Sequence, residues 1–338
     1  MTDHSSNINP IGSTKAATDA IRKNANIILE YPDYLNTKIN ALVHTYFDVP
    51  LKNISVGAGS TQILFDIPRI LSYKRSVVIV PTFWEYATLN ERSRKIVKKI
   101  HLKEEHGFNP DYPLIQKSIR DGDAVFICNV NNPTSKLYKK DDLLKLVKNN
   151  PGVQFIVDET YLIFRKDYKK ETLSKEVQKV NNLHIVVSLS KFFALPGIRL
   201  GVIISNKDTI ASYIATAHIP YSIHPLSWTA LEPLLGDKEF TKKGREFYDT
   251  ERKDFYEKVY TKLAGKLKVL EPDGNFIFGR ILTGQKSSDI VRALSIRGIL
   301  IRDGNELPDV GKDWVRFSIM SKKNNAILLK ELDKILES

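Results

Sequence analysis

The chain has 338 residues, 42% hydrophobic and 27% charged, a balance typical of a globular protein with a sizeable core. Its formal net charge is +12, but the basic residues are scattered and form no run interleaved with aromatic residues, which argues against nucleic-acid binding. The single cysteine, Cys128, excludes an internal disulfide and a cysteine-based zinc site, and no apolar run approaches the roughly 20 residues of a membrane span. Because Met1–Asn9 is polar and lacks the apolar core of a signal peptide, we expect a cytoplasmic protein. We also expect no metal site.

Short β-branched runs alternate with amphipathic stretches through most of the chain. This alternation predicts an α/β fold with a largely parallel sheet. The predicted strands are Ser76–Val80, Ala124–Cys128, Gln154–Val157, His184–Ser188 and Leu200–Ser205. The predicted helices are Thr61–Leu71, Lys140–Lys148 and Thr241–Ala264.

The pattern changes at about residue 225 into a smaller α+β unit. Strands are predicted there at Phe276–Ile281 and Val315–Ile319, and helices at Ser287–Ile296 and Asn324–Leu336. We therefore expect an N-terminal segment, residues 1–30, that packs with the small domain, a large domain over residues 31–224, and a small C-terminal domain over residues 225–338.

A lysine with phosphate-binding residue types around it follows the predicted strand that ends at Ser188. The sequence Ser188-Leu-Ser190-Lys191 leads into a Pro-Gly turn that carries Arg199. Serine hydroxyls and a guanidinium group suit a phosphate dianion. A lysine held beside other cations and away from water has a lowered pKa and is a better nucleophile. Each residue alone would indicate only a strand end, a solvated lysine or a turn.

The spacing Ser-x-Ser-Lys followed by Pro-Gly-x-Arg-x-Gly resembles the cofactor-lysine motif of the class I/II aminotransferases, which are fold type I pyridoxal-phosphate enzymes. The resemblance implies their fold, a large domain with a mostly parallel central sheet and a smaller α+β C-terminal domain. It also implies pyridoxal 5′-phosphate as the cofactor. Lys191 would carry it as a Schiff base and later move a proton, and Ser188, Ser190 and Arg199 would bind its phosphate.

Three further residues resemble the family's contacts with the cofactor ring. Asp158 ends a predicted strand about thirty residues before the lysine, where the family's aspartate pairs with the ring nitrogen and keeps it protonated. Tyr161 matches the tyrosine that hydrogen-bonds the 3-oxygen of the ring. Asn132 matches the asparagine of Asn-Pro-Thr-Gly that reaches the same oxygen, although Ser135 replaces the usual glycine. Without the resemblance, Asp158 would be a helix cap and Asn-Pro a turn.

Upstream, Gly57-Ala-Gly59-Ser60 precedes a predicted helix, whose N-terminal amides can bind a phosphate. The resemblance assigns Gly59 and Ser60 to the cofactor phosphate and Phe83 to the aromatic ring stacked on the cofactor. Trp84 and Tyr86, which follow Phe83, are interpreted as wall or core residues.

The resemblance also implies substrate contacts and a partner subunit. Arg316 lies mid-strand, where a charge is costly unless it is paired, and it matches the arginine that clamps the substrate α-carboxylate. Arg302 is a candidate for gripping a substrate phosphate, with an exposed surface arginine as the alternative. Tyr31 resembles a tyrosine that reaches the cofactor phosphate of the neighbouring subunit, which implies a homodimer with shared active sites.

Within the family, the segments Asn7–Gly12, Tyr31–Asp33, Phe192–Gly197 and Ile299–Arg302 resemble the branch of histidinol-phosphate aminotransferases and threonine-phosphate decarboxylases. We expect an aminotransferase that acts on a small, phosphorylated amino compound. Tyr161 favours it, since the decarboxylase resemblance predicts phenylalanine there. The alternative is a decarboxylase of O-phosphothreonine or O-phosphoserine. A catalytically inactive binding protein is the third possibility, and the intact cofactor residues argue against it.

Overall fold

A computed structural model describes residues 1–13 and 15–337 of the chain. Its strands are β1 (Thr2–Asp3), β2 (Ile54–Gly57), β3 (Arg75–Val80), β4 (Ile96–His101), β5 (Asp123–Cys128), β6 (Gln154–Asp158), β7 (Leu183–Ser188), β8 (Gly201–Ile204), β9 (Leu267–Val269), β10 (Phe276–Ile281), β11 (Ile299–Leu300), β12 (Arg302–Asp303) and β13 (Trp314–Ser318). Its α-helices are α1 (Lys15–Lys23), α2 (Thr37–Phe47), α3 (Ser60–Ile70), α4 (Glu85–Arg92), α5 (Tyr112–Ser118), α6 (Lys140–Asn149), α7 (Tyr168–Glu171), α8 (Leu189–Phe192), α9 (Lys207–Thr216), α10 (Pro225–Leu235), α11 (Lys238–Lys262), α12 (Ser287–Ile296) and α13 (Lys322–Glu337).

The largest sheet has seven strands in the order β2-β8-β7-β6-β5-β3-β4. The strands from β7 to β4 pair in parallel, whereas β8 is antiparallel to both of its neighbours. The inner strands β5 and β7 are buried along their whole length, because helices pack on both faces of a parallel sheet. The predicted fold class, α/β with a mostly parallel central sheet, is confirmed.

The predicted strands and helices agree with the structure to within three residues at each end. Two strands of the central sheet escaped prediction. Strand β4 contains lysines (Ile96-Val-Lys98-Lys99) because it is an edge strand with an exposed side. Strand β2 is short and runs directly into glycines.

A second, antiparallel sheet has the order β12-β13-β10-β9, and α12 and α13 pack together beside it. The N-terminal strand β1 pairs in parallel with β11. The division into residues 1–30, 31–224 and 225–338 stays a prediction. None of the helices in the described part of the chain combines the length and apolar character of a membrane span.

The topology brings the ends of several strands to one edge of the central sheet. Parallel strands place their carboxyl ends side by side, and loops at this edge are the usual binding region of such sheets. Phe83 follows β3, Asn132 follows β5, Asp158 ends β6 and Ser188 ends β7. Four predicted cofactor residues that are distant in sequence therefore meet at one edge.

Candidate active site

Lys191 lies in the one-turn helix α8, directly after the carboxyl end of β7. Its Nζ donates a hydrogen bond of 3.1 Å to the carbonyl of Ser6, in the N-terminal segment. The same segment is held on α8 by the amide of Asn9, which donates to the Lys191 carbonyl, and by the Asn9 side chain on the Phe192 carbonyl. The lysine amine is thus enclosed between the sheet edge and the first residues of the chain.

The surroundings of Lys191 favour its neutral amine. Burial and the nearby guanidinium groups of Arg316, Arg199 and Arg302 lower the pKa of Lys191 to about 8. A lysine with this pKa has an appreciable neutral, nucleophilic fraction near neutral pH.

Asp158 is a buried carboxylate held by two hydrogen-bond donors. The amide of Thr160 donates to its Oδ1 at 3.0 Å, and the hydroxyl of Tyr86 donates to its Oδ2 at 2.9 Å. Burial raises the pKa of Asp158, and hydrogen bonds from Thr160 and Tyr86 oppose that rise. Thr160 also accepts a hydrogen bond from the Ser188 amide through its hydroxyl, which connects the ends of β6 and β7.

Arg316 is a buried cation in the middle of β13, as its mid-strand position suggested. Its guanidinium donates to Oδ1 of Asn132 and to the carbonyl of Ser5, each at 2.5 Å. Its buried Nε has no hydrogen-bond partner within the described residues. Burial lowers the pKa of Arg316 to about 10, so it remains a cation at neutral pH with one donor free.

Arg302 is directly opposite Arg316 in the antiparallel pair of β12 and β13. Directly opposed residues project from the same face of a sheet, so the two guanidinium groups share one face. Arg302 pairs with Glu306 at 2.9 Å, and both side chains are partly exposed. Such an exposed ion pair contributes about 0–1 kcal/mol and is readily exchanged for another anion.

A turn beside α3 has the features of an anion cradle. Gly59 has a φ of 95° immediately before the helix, a conformation that disfavours a side chain, and a Cβ there would lie 2.8 Å from NH2 of Arg199. A Cβ on Gly201 would lie 2.2 Å from the amide nitrogen of Ser60, so β8 can approach the turn only with glycine at this position. The Ser190 hydroxyl is buried and lacks a hydrogen-bond partner among the residues described.

Tyr161 and Phe83 complete the buried part of the site. Tyr161 packs edge-on against Phe276 with 5.1 Å between ring centroids, and Arg316 lies 5.4 Å from the same Phe276 ring. Burial raises the pKa of Tyr161, which keeps its hydroxyl protonated as a donor. Phe83 is half-buried and packs on Trp84 and Tyr86.

Ser135, which replaces a glycine of the resembling motif, has a left-handed φ of 58°. That conformation explains why glycine suits this position. Here the serine is fully buried, and its hydroxyl accepts a hydrogen bond from the Gly274 amide at 3.0 Å. The Ser135 side chain therefore makes a hydrogen bond that offsets the strain of its left-handed backbone.

Tyr31 is separate from this group. It is 87% exposed and packs on Tyr221 with 5.3 Å between ring centroids. In the single chain it is a surface residue, next to Tyr34 and other exposed apolar side chains.

Sequence reasoning missed two features of the site. Tyr86, interpreted as wall or core, is buried but also hydrogen-bonds Asp158. The carbonyls of Ser5 and Ser6 contact Arg316 and Lys191 through the backbone, and no side-chain pattern signals such contacts. The only sequence signal for Tyr86 was its place, as an aromatic residue three positions after Phe83.

The sequence matches the family described as aminotransferase class I and II over residues 1–332. The chain belongs to this family. A histidinol-phosphate aminotransferase of Methanococcus maripaludis (strain C6) is 26% identical over 336 residues, covering 98% of this chain and 89% of that protein. The threonine-phosphate decarboxylase of Salmonella typhimurium (strain LT2) is 26% identical over 339 residues, covering 99% of this chain and 91% of that protein.

Among solved structures, the histidinol-phosphate aminotransferase from Clostridium acetobutylicum superimposes with a TM-score of 0.92 at 27% identity, covering 100% of this chain and 99% of that one. The predicted aminotransferase fold is therefore confirmed, and so is the predicted class of pyridoxal-phosphate enzyme.

The residues at the sheet edge fit pyridoxal 5′-phosphate, the cofactor of this family. The unpartnered Ser190 hydroxyl and the turn at Gly59, with Arg199 beside it, suit the phosphate. Lys191 offers an amine with a lowered pKa, and Asp158 offers a buried carboxylate whose hydrogen-bond donors, Thr160 and Tyr86, are neutral. The donor set thus matches an anionic group, a carbonyl and a basic ring nitrogen.

Proposed function

We propose that this enzyme is an aminotransferase that acts on a small, phosphorylated amino compound through a Schiff base on Lys191. The observation that carries the proposal is the Lys191 amine, enclosed and surrounded by the guanidinium groups of Arg316, Arg199 and Arg302. One cluster therefore combines a nucleophilic amine with three cations for anionic groups of cofactor and substrate. The bound cofactor supplies an electron-withdrawing ring that stabilises negative charge at the substrate Cα.

The proposed role of Lys191 predicts an unusual pH dependence of cofactor loading. The rate of loading is expected to rise about tenfold between pH 7 and 9 and then to level off, because the neutral amine saturates above its pKa. The pKa of about 8 sets this range. The measurement is the initial rate at which the visible absorbance band grows when cofactor-free protein receives pyridoxal phosphate. A rate that keeps rising tenfold per pH unit above pH 9 would indicate an ordinary lysine.

We propose that Asp158 pairs with the ring nitrogen and keeps it protonated. Asn132 and Tyr161 would donate to the 3-oxygen of the ring. This is supported by the contact of Asn132 Oδ1 with Arg316, which leaves the Asn132 Nδ2 group as a donor. Phe83 would stack on the ring.

The cofactor phosphate would bind at Gly59, Ser60, Ser188, Ser190 and Arg199. The N-terminal amides of α3 and the guanidinium of Arg199 supply positive charge, and the hydroxyls supply hydrogen bonds. The lack of a partner for the Ser190 hydroxyl supports this assignment, since a buried hydroxyl without a hydrogen bond is costly.

We assign Arg316 to the substrate carboxylate. A carboxylate that approaches Nε and NH2 together would supply the missing acceptor for Nε and would replace the Ser5 carbonyl on NH2. This exchange converts one neutral acceptor into a bidentate charged pair.

Arg316→Ala is expected to raise the KM for the carboxylate substrates glutamate and 2-oxoglutarate about 100-fold while leaving the affinity for pyridoxal phosphate within about twofold. Truncating one partner of a buried charge pair costs about 2–5 kcal/mol, and the loss falls on the substrate. Steady-state kinetics and cofactor titration measure the two effects. The matched control is Arg280→Ala, which removes a more exposed arginine from the neighbouring strand β10. Equal losses of substrate and cofactor affinity in Arg316→Ala would contradict the assignment.

Arg302 supports the choice of a phosphorylated substrate. Its register opposite Arg316 gives one face of the sheet two cations, which suits a substrate with both a carboxylate and a phosphate, or with a phosphate alone. Its present partner, Glu306, is exposed and can be replaced by a substrate phosphate.

Decarboxylation of an O-phospho amino acid is the second candidate function. It is supported by the threonine-phosphate decarboxylase of Salmonella typhimurium, which is as similar in sequence as the histidinol-phosphate aminotransferases. Both reactions use the same cofactor residues. They differ in which bond of the substrate Cα stands perpendicular to the cofactor ring, and Tyr161 is the residue that favours the aminotransferase.

Incubating the holoenzyme with candidate substrates tests the proposal. Histidinol phosphate with 2-oxoglutarate should give glutamate, and glutamate alone should bleach the visible band and yield 2-oxoglutarate. Release of carbon dioxide from O-phosphothreonine or O-phosphoserine, without amino transfer from glutamate, would contradict the aminotransferase and support the decarboxylase.

We also propose a homodimer in the cytoplasm, in which Tyr31 reaches the cofactor phosphate of the partner subunit. Its 87% exposure and the exposed side chains near it, including Tyr34 and Leu35, support an interface at this surface. Analytical ultracentrifugation of the holoenzyme tests this assembly.

A further inference from the structure

Tyr86 is a buried tyrosine that is held in place by ring packing and by hydrogen bonds. It is 1% exposed, and its ring packs on Phe126 of β5 and edge-on against Phe83. Its carbonyl accepts a hydrogen bond from the Asn90 side chain, which is in turn held by the hydroxyl of Tyr73. Helix α4 therefore holds the Tyr86 hydroxyl in a defined position.

There the hydroxyl donates to Oδ2 of Asp158 at 2.9 Å, and the thiol of Cys128 is its second hydrogen-bonding neighbour. The hydrogen-bond donors to this carboxylate are neutral: the amide and the side chain of Thr160 and the Tyr86 hydroxyl. Cys128, directly opposite Asp158 in the register of β5 and β6, adds no charge of its own, because burial raises its pKa to about 12 and keeps it a neutral thiol. A buried carboxylate with so little support depends on each donor for its ionised form.

We propose that Tyr86 is a positioning residue for the reaction, whose hydroxyl orients Asp158 and holds it ionised, so that the Asp158 carboxylate would keep the nitrogen of the cofactor ring protonated. The inference rests on the function proposed above for Asp158. Without the hydroxyl, the buried carboxylate retains its own proton more readily and the ring nitrogen is less often charged. A neutral ring withdraws fewer electrons, so the nitrogen that joins Lys191 to the cofactor becomes more basic.

The test is a spectrophotometric pH titration of the visible band in the Tyr86→Phe holoenzyme. We expect the midpoint to move upward by about one pH unit, the size of one hydrogen bond to a charged group. The kcat should fall about tenfold, with the KM for the amino donor unchanged. Cofactor saturation before the titration ensures that the shift does not reflect partial loading.

Tyr73→Phe is the matched control, because it removes a buried hydroxyl that supports the same helix through Asn90 but does not touch Asp158. Its midpoint should equal that of the wild type, and an equal shift in both variants would overturn the inference by assigning the effect to packing. The Asp158→Asn holoenzyme separates the proposed role of Tyr86 from the proposed role of Asp158. A shift in Asp158→Asn without one in Tyr86→Phe overturns the role of Tyr86 alone. No shift in either overturns the proposed role of Asp158 and, with it, that of Tyr86.

Should Tyr86→Phe fail to fold, Tyr86→Leu offers a second variant. The leucine side chain has no hydrogen-bond donor, and it retains an apolar group against Phe126 without overfilling the site. The same upward shift of the midpoint is expected, and an unchanged midpoint would overturn the inference.

Discussion

Lys191→Ala is expected to lower turnover by about 10⁴-fold or more while leaving the fold intact. The Lys191 amine is proposed both to bind the cofactor covalently and to move the proton at the substrate Cα, and general base catalysis alone contributes about 10²–10⁴-fold. The position tolerates alanine, since burial and the nearby arginines already penalise its charge, as the lowered pKa of Lys191 indicates. Turnover, the visible band and the thermal unfolding midpoint are the measurements.

The matched control for this prediction is Lys207→Ala, which removes an exposed lysine at the start of α9. It should retain wild-type turnover and the visible band. Added methylamine should restore part of the turnover of Lys191→Ala, because a small amine can replace the missing base. Turnover within tenfold of the wild type in Lys191→Ala would show that another group performs the chemistry.

Asp158→Asn is expected to lower kcat by about 10³-fold. The substitution preserves the shape of the side chain but removes the negative charge that we propose lies opposite the ring nitrogen, and loss of one partner of a buried charged pair costs about 3–5 kcal/mol. The cofactor should still bind, because its proposed bond to Lys191 and its proposed phosphate contacts do not involve Asp158. Turnover and cofactor titration measure the two effects.

Glu159→Gln is the control for this substitution, since Glu159 is the adjacent buried carboxylate. It accepts hydrogen bonds from the Thr172 hydroxyl and the Leu173 amide, and burial raises its pKa to about 7. A glutamine there resembles the protonated form that is already populated near neutral pH, so kcat should stay within about threefold. If both variants lost activity equally, the effect of Asp158→Asn would reflect general disturbance of the loop after β6.

The Lys191 motif and Asp158 could be proposed as cofactor residues from the sequence because their signals are local. Ser188, Ser190, Lys191 and Arg199 lie within one strand end and the turn that follows it. Asp158 and Tyr161 are separated by three residues at the end of β6. Such short spacings can be recognised in the sequence itself. The alternation of strands and helices gives the order of most elements in the central sheet.

The contacts that connect distant segments could not be predicted. The Tyr86 hydroxyl reaches Asp158 across 72 residues, and an aromatic side chain in an apolar stretch looks like any core residue. The alignment of Arg302 with Arg316 depends on a strand of two residues, too short to have a recognisable pattern. The carbonyls of Ser5 and Ser6 act through the backbone, which every residue shares.

The N-terminal segment connects these distant contacts to the proposed reaction. It is anchored by β1 on β11 and by His4, which hydrogen-bonds the Ser318 carbonyl at 2.8 Å. The anchored residues place the Ser5 carbonyl on the guanidinium group to which we assign the substrate carboxylate. Substrate binding at Arg316, as proposed, would therefore require an exchange of partners within this segment.

The central claim, that Lys191 carries the cofactor, is tested most directly by chemical trapping. Reduction of the holoenzyme with borohydride makes the bond between the amine and the cofactor permanent, and peptide mass analysis then locates it. The account predicts a single modified peptide with the cofactor on Lys191. A cofactor adduct on a different lysine, or no adduct in a protein that is saturated with pyridoxal phosphate, would contradict it.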